Sequence, residues 1–204
     1  MPGKCPFCDR GQFEERLIAE VGGFYIIATL GQITDGGYLL LFPAEHVLCM
    51  GALSEEQTER MIEISNKICA ALVREFKTPV TMFEHGIVGQ IVQHAYLHFL
   101  PVALNLTPRI KADFKGCRIR EIRRASELRK IYSQYLLPYL FWSCEEVDSW
   151  SNVCLNPPAP EQYFRTVVAK ELSRPERAHW RMMNQKLDKR LWSETVLRLG
   201  PYFK

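Results

Sequence analysis

The stretch GQIVQHAYLHFLP, residues 89–101, decides how this chain is read. Its polar and apolar residues alternate as they do on a β-strand, where successive side chains point to opposite faces. In that register His94, Tyr96 and His98 share one face, while Ala95, Leu97 and Phe99 point into apolar packing. Three polar rings on one face are costly to bury unless they bind something; the alternative is a solvent-facing edge. Just upstream, EHGIVGQ contributes Glu84, a candidate base or orienting carboxylate, and His85, a candidate ligand contact. Gly86 and Gly89 would let a backbone come close to a ligand, and the neutral amide of Gln90 suits phosphate oxygens.

Outward from this stretch, RLIAEVGGFYIIATL predicts a hairpin turning at Gly22-Gly23. TDGGYLLLFPAEH predicts a turn and then a short strand from Tyr38 to Phe42. LSEEQTERMIEISNKICAALVREF is the clearest helix. Ser54 caps it with Gln57 as capping-box partner, and Met61, Ile64, Ile68 and Leu72 recur on one face. VTMFEHG is a further strand. After Pro101 the character changes. KGCRIREI, PYLFWSC and WSNVCLNPPAP read as strands, the last running into a Pro-rich loop. SELRKIYSQ, PEQYFRTVVAKEL and NQKLDKRLWSETVLRL read as helices, the last stopped by Gly200 and Pro201. In the second helix Phe164, Val167, Val168 and Leu172 make the apolar face, which leaves Arg165 and Lys170 on others. The expected class is α+β. An antiparallel sheet with a long helix packed on it spans residues 1–104, and a mixed strand and helix extension, 105–204, packs on the same core. The weakest seam falls near residues 102–114.

A chain of 204 residues can bury a core without cross-links. A net charge of +3 suits an anionic small ligand and gives no argument for nucleic acid, which calls for a clustered basic face. No window approaches the roughly 18 apolar residues of a membrane span. The N-terminus lacks an apolar h-region, so the seven cysteines are expected to be reduced thiols in a cytoplasm. Only Cys5 and Cys8, in CPFC, form a close pair, which can bind one side of a tetrahedral Zn²⁺. A redox pair would follow a strand, which this one does not; two unrelated cysteines is the third reading. Zinc would need two more ligands from the histidines at 46, 85, 94, 98 and 179. The remaining cysteines read as buried small apolar groups. Arg165, Arg174, Arg177 and Arg181 can bring guanidinium groups to a phosphate and Trp180 can stack on a base; the plainer alternatives are solvated charges and rim packing.

Taken in order, the C-x-x-C pair, the strand ending LLLFPAEH, the long helix and G-Q-x-V-x-H-x-Y-x-H-x-x-P resemble the histidine triad (HIT) superfamily of nucleotide hydrolases and transferases. The resemblance covers about half of the chain, and FEHG before the triad is similar to bacterial members. It implies a HIT-like fold, a homodimer, and a nucleotide or other phosphate-bearing small molecule as ligand. It also implies a structural zinc held by Cys5, Cys8, His46 and His94, with phosphate contacts from Gln90 and His98.

The family's triad is H-x-H-x-H, and its middle histidine, the nucleophile, is Tyr96 here. A neutral imidazole attacks phosphorus readily, whereas a phenol must first ionise, a handicap of roughly 4 kcal/mol at neutral pH. Four expectations follow. The pocket houses diverged chemistry with His98 as acid-base and Tyr96 as donor or base; or Tyr96 is itself the nucleophile; or the protein binds a nucleotide without turnover; or a HIT hydrolase has had its catalytic histidine substituted.

Overall fold

The computed structural model describes residues 5–123, 125–144 and 151–204. Eight strands join in one antiparallel sheet: β1 (Leu17–Val21), β2 (Phe24–Ala28), β3 (Leu39–Pro43), β4 (Thr81–Gly86), β5 (Leu97–Leu100), β6 (Arg118–Ile122), β7 (Tyr139–Cys144) and β8 (Ser151–Leu155). Their order is β1-β2-β3-β5-β4-β7-β8-β6, so β4 joins the strands of the first half to those of the second. The hairpin between β1 and β2 turns at Gly22 and Gly23, both with positive φ, as a two-residue hairpin turn of matching twist requires.

Both faces of the sheet are covered. On one, α1 (Glu55–Phe76) packs Met61, Ile64, Ile68 and Leu72 against Leu41, Leu97, Phe99 and Phe141, and α3 (Glu127–Tyr135) adds Leu128 and Ile131. On the other, α2 (Thr107–Asp113) and α4 (Tyr163–Glu171) cover Phe83, Leu100 and Trp142. Beside them the N-terminal segment lays Phe7 and Phe13 over Leu40, Phe42 and Tyr96. Burial on two faces explains why LLLFP and YLFWSC are almost wholly apolar instead of alternating.

The predicted capping box of α1 is formed. Ser54 Oγ accepts from the Gln57 N–H, and Gln57 Oε1 accepts from the Ser54 N–H. The last helix, α5 (Gln185–Leu199), is capped by Asn184 and ties itself to the sheet through Asp188, whose carboxylate accepts from Gly31 N and Gln32 N. The chain runs on past the predicted stop as a 3-10 turn, Gly200–Phe203.

Three expectations are corrected. The strand in residues 89–101 starts only at Leu97; residues 90–96 are irregular, with His94 N bonded to Val92 O and Ala95 N to Val47 O. The seam at 102–114 contains the helix α2, whose start is marked by Pro108 in its first turn. The solvated-charge alternative does not hold for Arg165, which is 5% exposed. Trp150, on which the sequence predicts the last strand to begin, lies outside the described residues. Among those residues no helix is long and apolar enough to cross a membrane.

Candidate functional site

Cys5, Cys8, His46 and His94 come together with all four ligand atoms within 4.8 Å of one another. Cys8 Sγ lies 3.3 Å from His46 Nδ1, and His94 Nδ1 lies 3.5 Å from Cys5 Sγ and 3.7 Å from Cys8 Sγ. The other nitrogen of His94, Nε2, is 2.9 Å from the Pro43 carbonyl. A carbonyl can only accept, so Nε2 carries the proton and Nδ1 turns a bare lone pair toward the sulfurs. Two thiols and two imidazole nitrogens, one ring oriented by a backbone carbonyl, are a donor set that can hold a metal ion. It is the one cluster of this kind among the described residues, and Cys144 and Cys154 are not part of it.

Beside this cluster is a cavity of about 300 Å³. The N-terminal segment supplies Phe7, Phe13 and Arg16; the irregular run before β5 supplies Ile91, Val92 and Tyr96; the second half of the chain supplies Gln162, Arg165, Trp180 and Arg181. His85 and His98 also line it. Three arginines face this space, and among the described residues no aspartate or glutamate lines it. Arg165 donates to the backbone oxygens of Ala178, Gly31 and Arg177 and lies over the Tyr38 ring, with no carboxylate beside it among the described residues.

Strand parity places each group. On β4, His85 lines the cavity and Phe83 shares its side of the sheet, while Glu84 faces the α1 side, because neighbours on a strand point to opposite faces. Glu84 is therefore not a cavity residue. Its carboxylate accepts from Met50 N and from Tyr139 Oη, each at 2.7 Å, and burial pushes its pKa up to about 7. Just before β3, Tyr38 shares parity with Leu40 and Phe42, and its hydroxyl meets His98 Nδ1 at 2.7 Å. His98 Nε2 and His85 Nδ1 are buried nitrogens without a partner among the described residues. Burial drives the pKa of both rings down, His85 to about 3 and His98 well below the usual value, with Arg165 adding to each. Both are neutral at pH 7. Burial likewise raises the Tyr96 phenol above its ordinary value, so Tyr96 is a neutral hydroxyl.

The structure brings the sequence candidates Tyr96, His98, His85, Gly89 and Arg165 around one space and leaves Glu84 and Gln90 off its lining. The Gln90 amide donates to the Leu48 and His94 carbonyls and so braces the metal segment, leaving no N–H for a phosphate. Gly89 (φ +75) has its side occupied by the Pro160 carbonyl and the His85 ring, and the room beside Gly86 is filled by Tyr139, so neither glycine opens space for a ligand. Arg174 and Arg177 are both engaged by Asp35, at 2.6 and 2.9 Å. Sequence reasoning missed Tyr38, Arg16 and Gln162. Only Tyr38 left a signal, its even-numbered parity with Leu40 and Phe42.

No family model matches the chain, and no curated protein matches it. Among solved structures it is similar to a HIT family protein from Bacillus anthracis, with 25% identity over 50% of this chain and 75% of that one, at a TM-score of 0.45. It is similar to a DUF4931 family protein from Bacillus cereus over 91% of this chain and 98% of that one, with 12% identity and a TM-score of 0.46. A third is a hypothetical histidine triad nucleotide-binding protein from Sulfolobus tokodaii: 18% identity, 48% of this chain and 68% of that one, TM-score 0.42. The structures that this chain resembles thus include HIT family proteins, the family whose motifs its first hundred residues carry.

Proposed function

We propose that this protein binds a nucleotide or another phosphate-bearing small molecule in the cavity beside Tyr96, above a structural zinc held by Cys5, Cys8, His46 and His94. The observation that carries this reading is the charge of the cavity. Arg16, Arg165 and Arg181 face a space that has no carboxylate among the described residues, and two neutral imidazoles complete its wall. A buried guanidinium bonded only to carbonyl oxygens keeps its full charge for an anion. The apolar side of the same space, with Phe7, Ile91, Val92 and Trp180, suits a flat or apolar group attached to that anion.

Tyr96 then donates a hydrogen bond and does not attack. A phenol whose pKa burial has raised is a poorer nucleophile than one in water, and neither His85 nor His98 carries a positive charge that would reverse this. The chemistry is diverged from nucleotidyl transfer at its covalent step. The second reading, a non-catalytic binding protein, is favoured by the same neutrality of all three rings.

Binding is tested by thermal shift across nucleotides and phosphorylated metabolites; no shift with any of them overturns the proposal. Turnover is tested with labelled adenosine phosphoramidate and diadenosine tetraphosphate. Little is expected from wild type, and a gain is expected from Tyr96→His. Brisk wild-type turnover that Tyr96→Phe leaves intact would overturn the assignment of Tyr96. The closed donor set would hold about one zinc per chain, read by metal analysis; a metal-free protein that still folds sinks the ligand set. The proposal also carries a homodimer in a cytoplasm, and sedimentation tests the second copy.

A further inference from the structure

His85 caps a helix. Its Nε2 accepts from the Phe164 N–H at 3.1 Å, one of the donors that the first turn of α4 leaves without an intrahelical partner. A ring nitrogen that accepts from an N–H is unprotonated, so in the neutral ring the proton sits on Nδ1. That Nδ1–H is buried and has no partner among the described residues. On the far side of the same wall Tyr38 fixes His98. Tyr38 lies between Arg165, whose guanidinium carbon is 5.3 Å from its ring centroid, and His98 Nδ1, 2.7 Å from its hydroxyl. Guanidinium can only donate, so the hydroxyl proton has one acceptor, His98 Nδ1. The His98 proton is thereby placed on Nε2, which is also buried and also without a partner among the described residues. The two rings are 6.0 Å apart between centroids, and both line the cavity that Arg165 faces.

A buried N–H without an acceptor is destabilising, and here two such groups stand in one wall next to an arginine that has no carboxylate beside it among the described residues. We propose that His85 and His98 are a pair of neutral N–H donors, locked in opposite tautomers by Phe164 and Tyr38, and that with Arg165 they form a cradle for the oxygens of an ionised phosphate ester. This rests on the reading of the cavity as an anion site. It assigns Tyr38 as a positioning residue acting through His98, and it leaves neither imidazole as a general base. No covalent step is involved, since the cradle orients and polarises the bound group.

The test uses the full chain labelled with ¹⁵N at histidine. Long-range proton–nitrogen spectra of the ligand-free protein are expected to show His85 protonated only at Nδ1 and His98 only at Nε2, each a single tautomer around neutral pH. Inorganic phosphate and then AMP are expected to shift those two protonated nitrogens, and adenosine is expected to leave them in place. Averaged tautomers, or rings that gain a proton near pH 6.5, overturn the locked pair. If calorimetry shows AMP bound while both nitrogens stay unshifted, the cradle is wrong and the anion reading of the cavity survives. If the rings are locked and neither phosphate nor AMP binds, both fall. Tyr38→Phe separates positioning from packing. It is expected to release His98 into a tautomer mixture and to weaken AMP binding about tenfold, the worth of one hydrogen bond, while the fold is retained by circular dichroism. An unchanged His98 tautomer in that variant overturns the role of Tyr38.

Discussion

Glu84 and His85 are adjacent in sequence, yet burial acts on them in opposite directions. The Glu84 carboxyl is raised from 4.5 to about 7 and the His85 ring is lowered from 6.5 to about 3, each toward its uncharged form. For Glu84 the folded state binds more protons than the unfolded state between pH 4.5 and 7. Its contribution to stability therefore falls as pH rises through that window and is flat above it, by about 3 kcal/mol at most. Glu84→Gln removes this dependence. The melting temperature of the variant relative to wild type is expected to rise from pH 5 to pH 7.5; a difference that does not change with pH would count against the buried-carboxyl account. The residue types were legible in EHG, but the side of the sheet that each faces was not. His85 and Glu84 were read as one group, whereas strand alternation separates them. Gln90 was misread for a related reason: its two donors go to the carbonyls of Leu48 and His94, one of them 42 residues away in sequence, and no local pattern announces such a partner.

At the scale of elements, long periodic segments were legible and short irregular ones were not. The capping box and apolar stripe of α1 come from spacing alone. The run from Gln90 to Tyr96 was read as strand from its alternation, but that alternation also serves an irregular segment whose odd and even residues meet different walls. His94 reaches the two sulfurs, and Tyr96 meets His98 with ring centroids 5.1 Å apart. Helix α5 shows how an element far from the cavity shapes it. Asp188 takes the Gly31 and Gln32 N–H groups, and the Gly31 carbonyl takes Arg165 Nη2 at 2.8 Å. Asp188→Ala leaves two buried N–H groups unpaired and is expected to lower stability by about 2–3 kcal/mol in urea unfolding, with Asp188→Asn losing less because one acceptor remains. Both variants should also weaken ligand binding, since the loop that orients Arg165 loosens. Destabilisation with unchanged affinity would separate the loop from the cavity.

Across the whole molecule, one sheet carries strands from both halves of the chain, and the cavity takes residues from both. Its outer strand β6 presents Arg118, Arg120 and Glu121, charges that discourage pairing with another sheet edge. Reversing that protection with the pair of substitutions Arg118→Val and Arg120→Val is expected to raise light scattering at the same protein concentration, and an unchanged monodisperse signal would show that the edge is guarded otherwise. Phe7 joins the two sites more closely than the sheet does. It sits between the two cysteines, stacks on Phe42 at 4.5 Å, meets the Tyr96 ring at 5.3 Å and forms part of the cavity wall. Whatever fixes the turn from Cys5 to Cys8 also fixes that wall, so a metal in the cluster and a ligand in the cavity, as proposed, would be thermodynamically linked. By reciprocity, the factor by which a bound metal tightens the ligand equals the factor by which the ligand tightens the metal. A saturating ligand should then protect the metal from a competing chelator by the same ratio that chelation weakens the ligand, which makes the exchange of one a measure of the other.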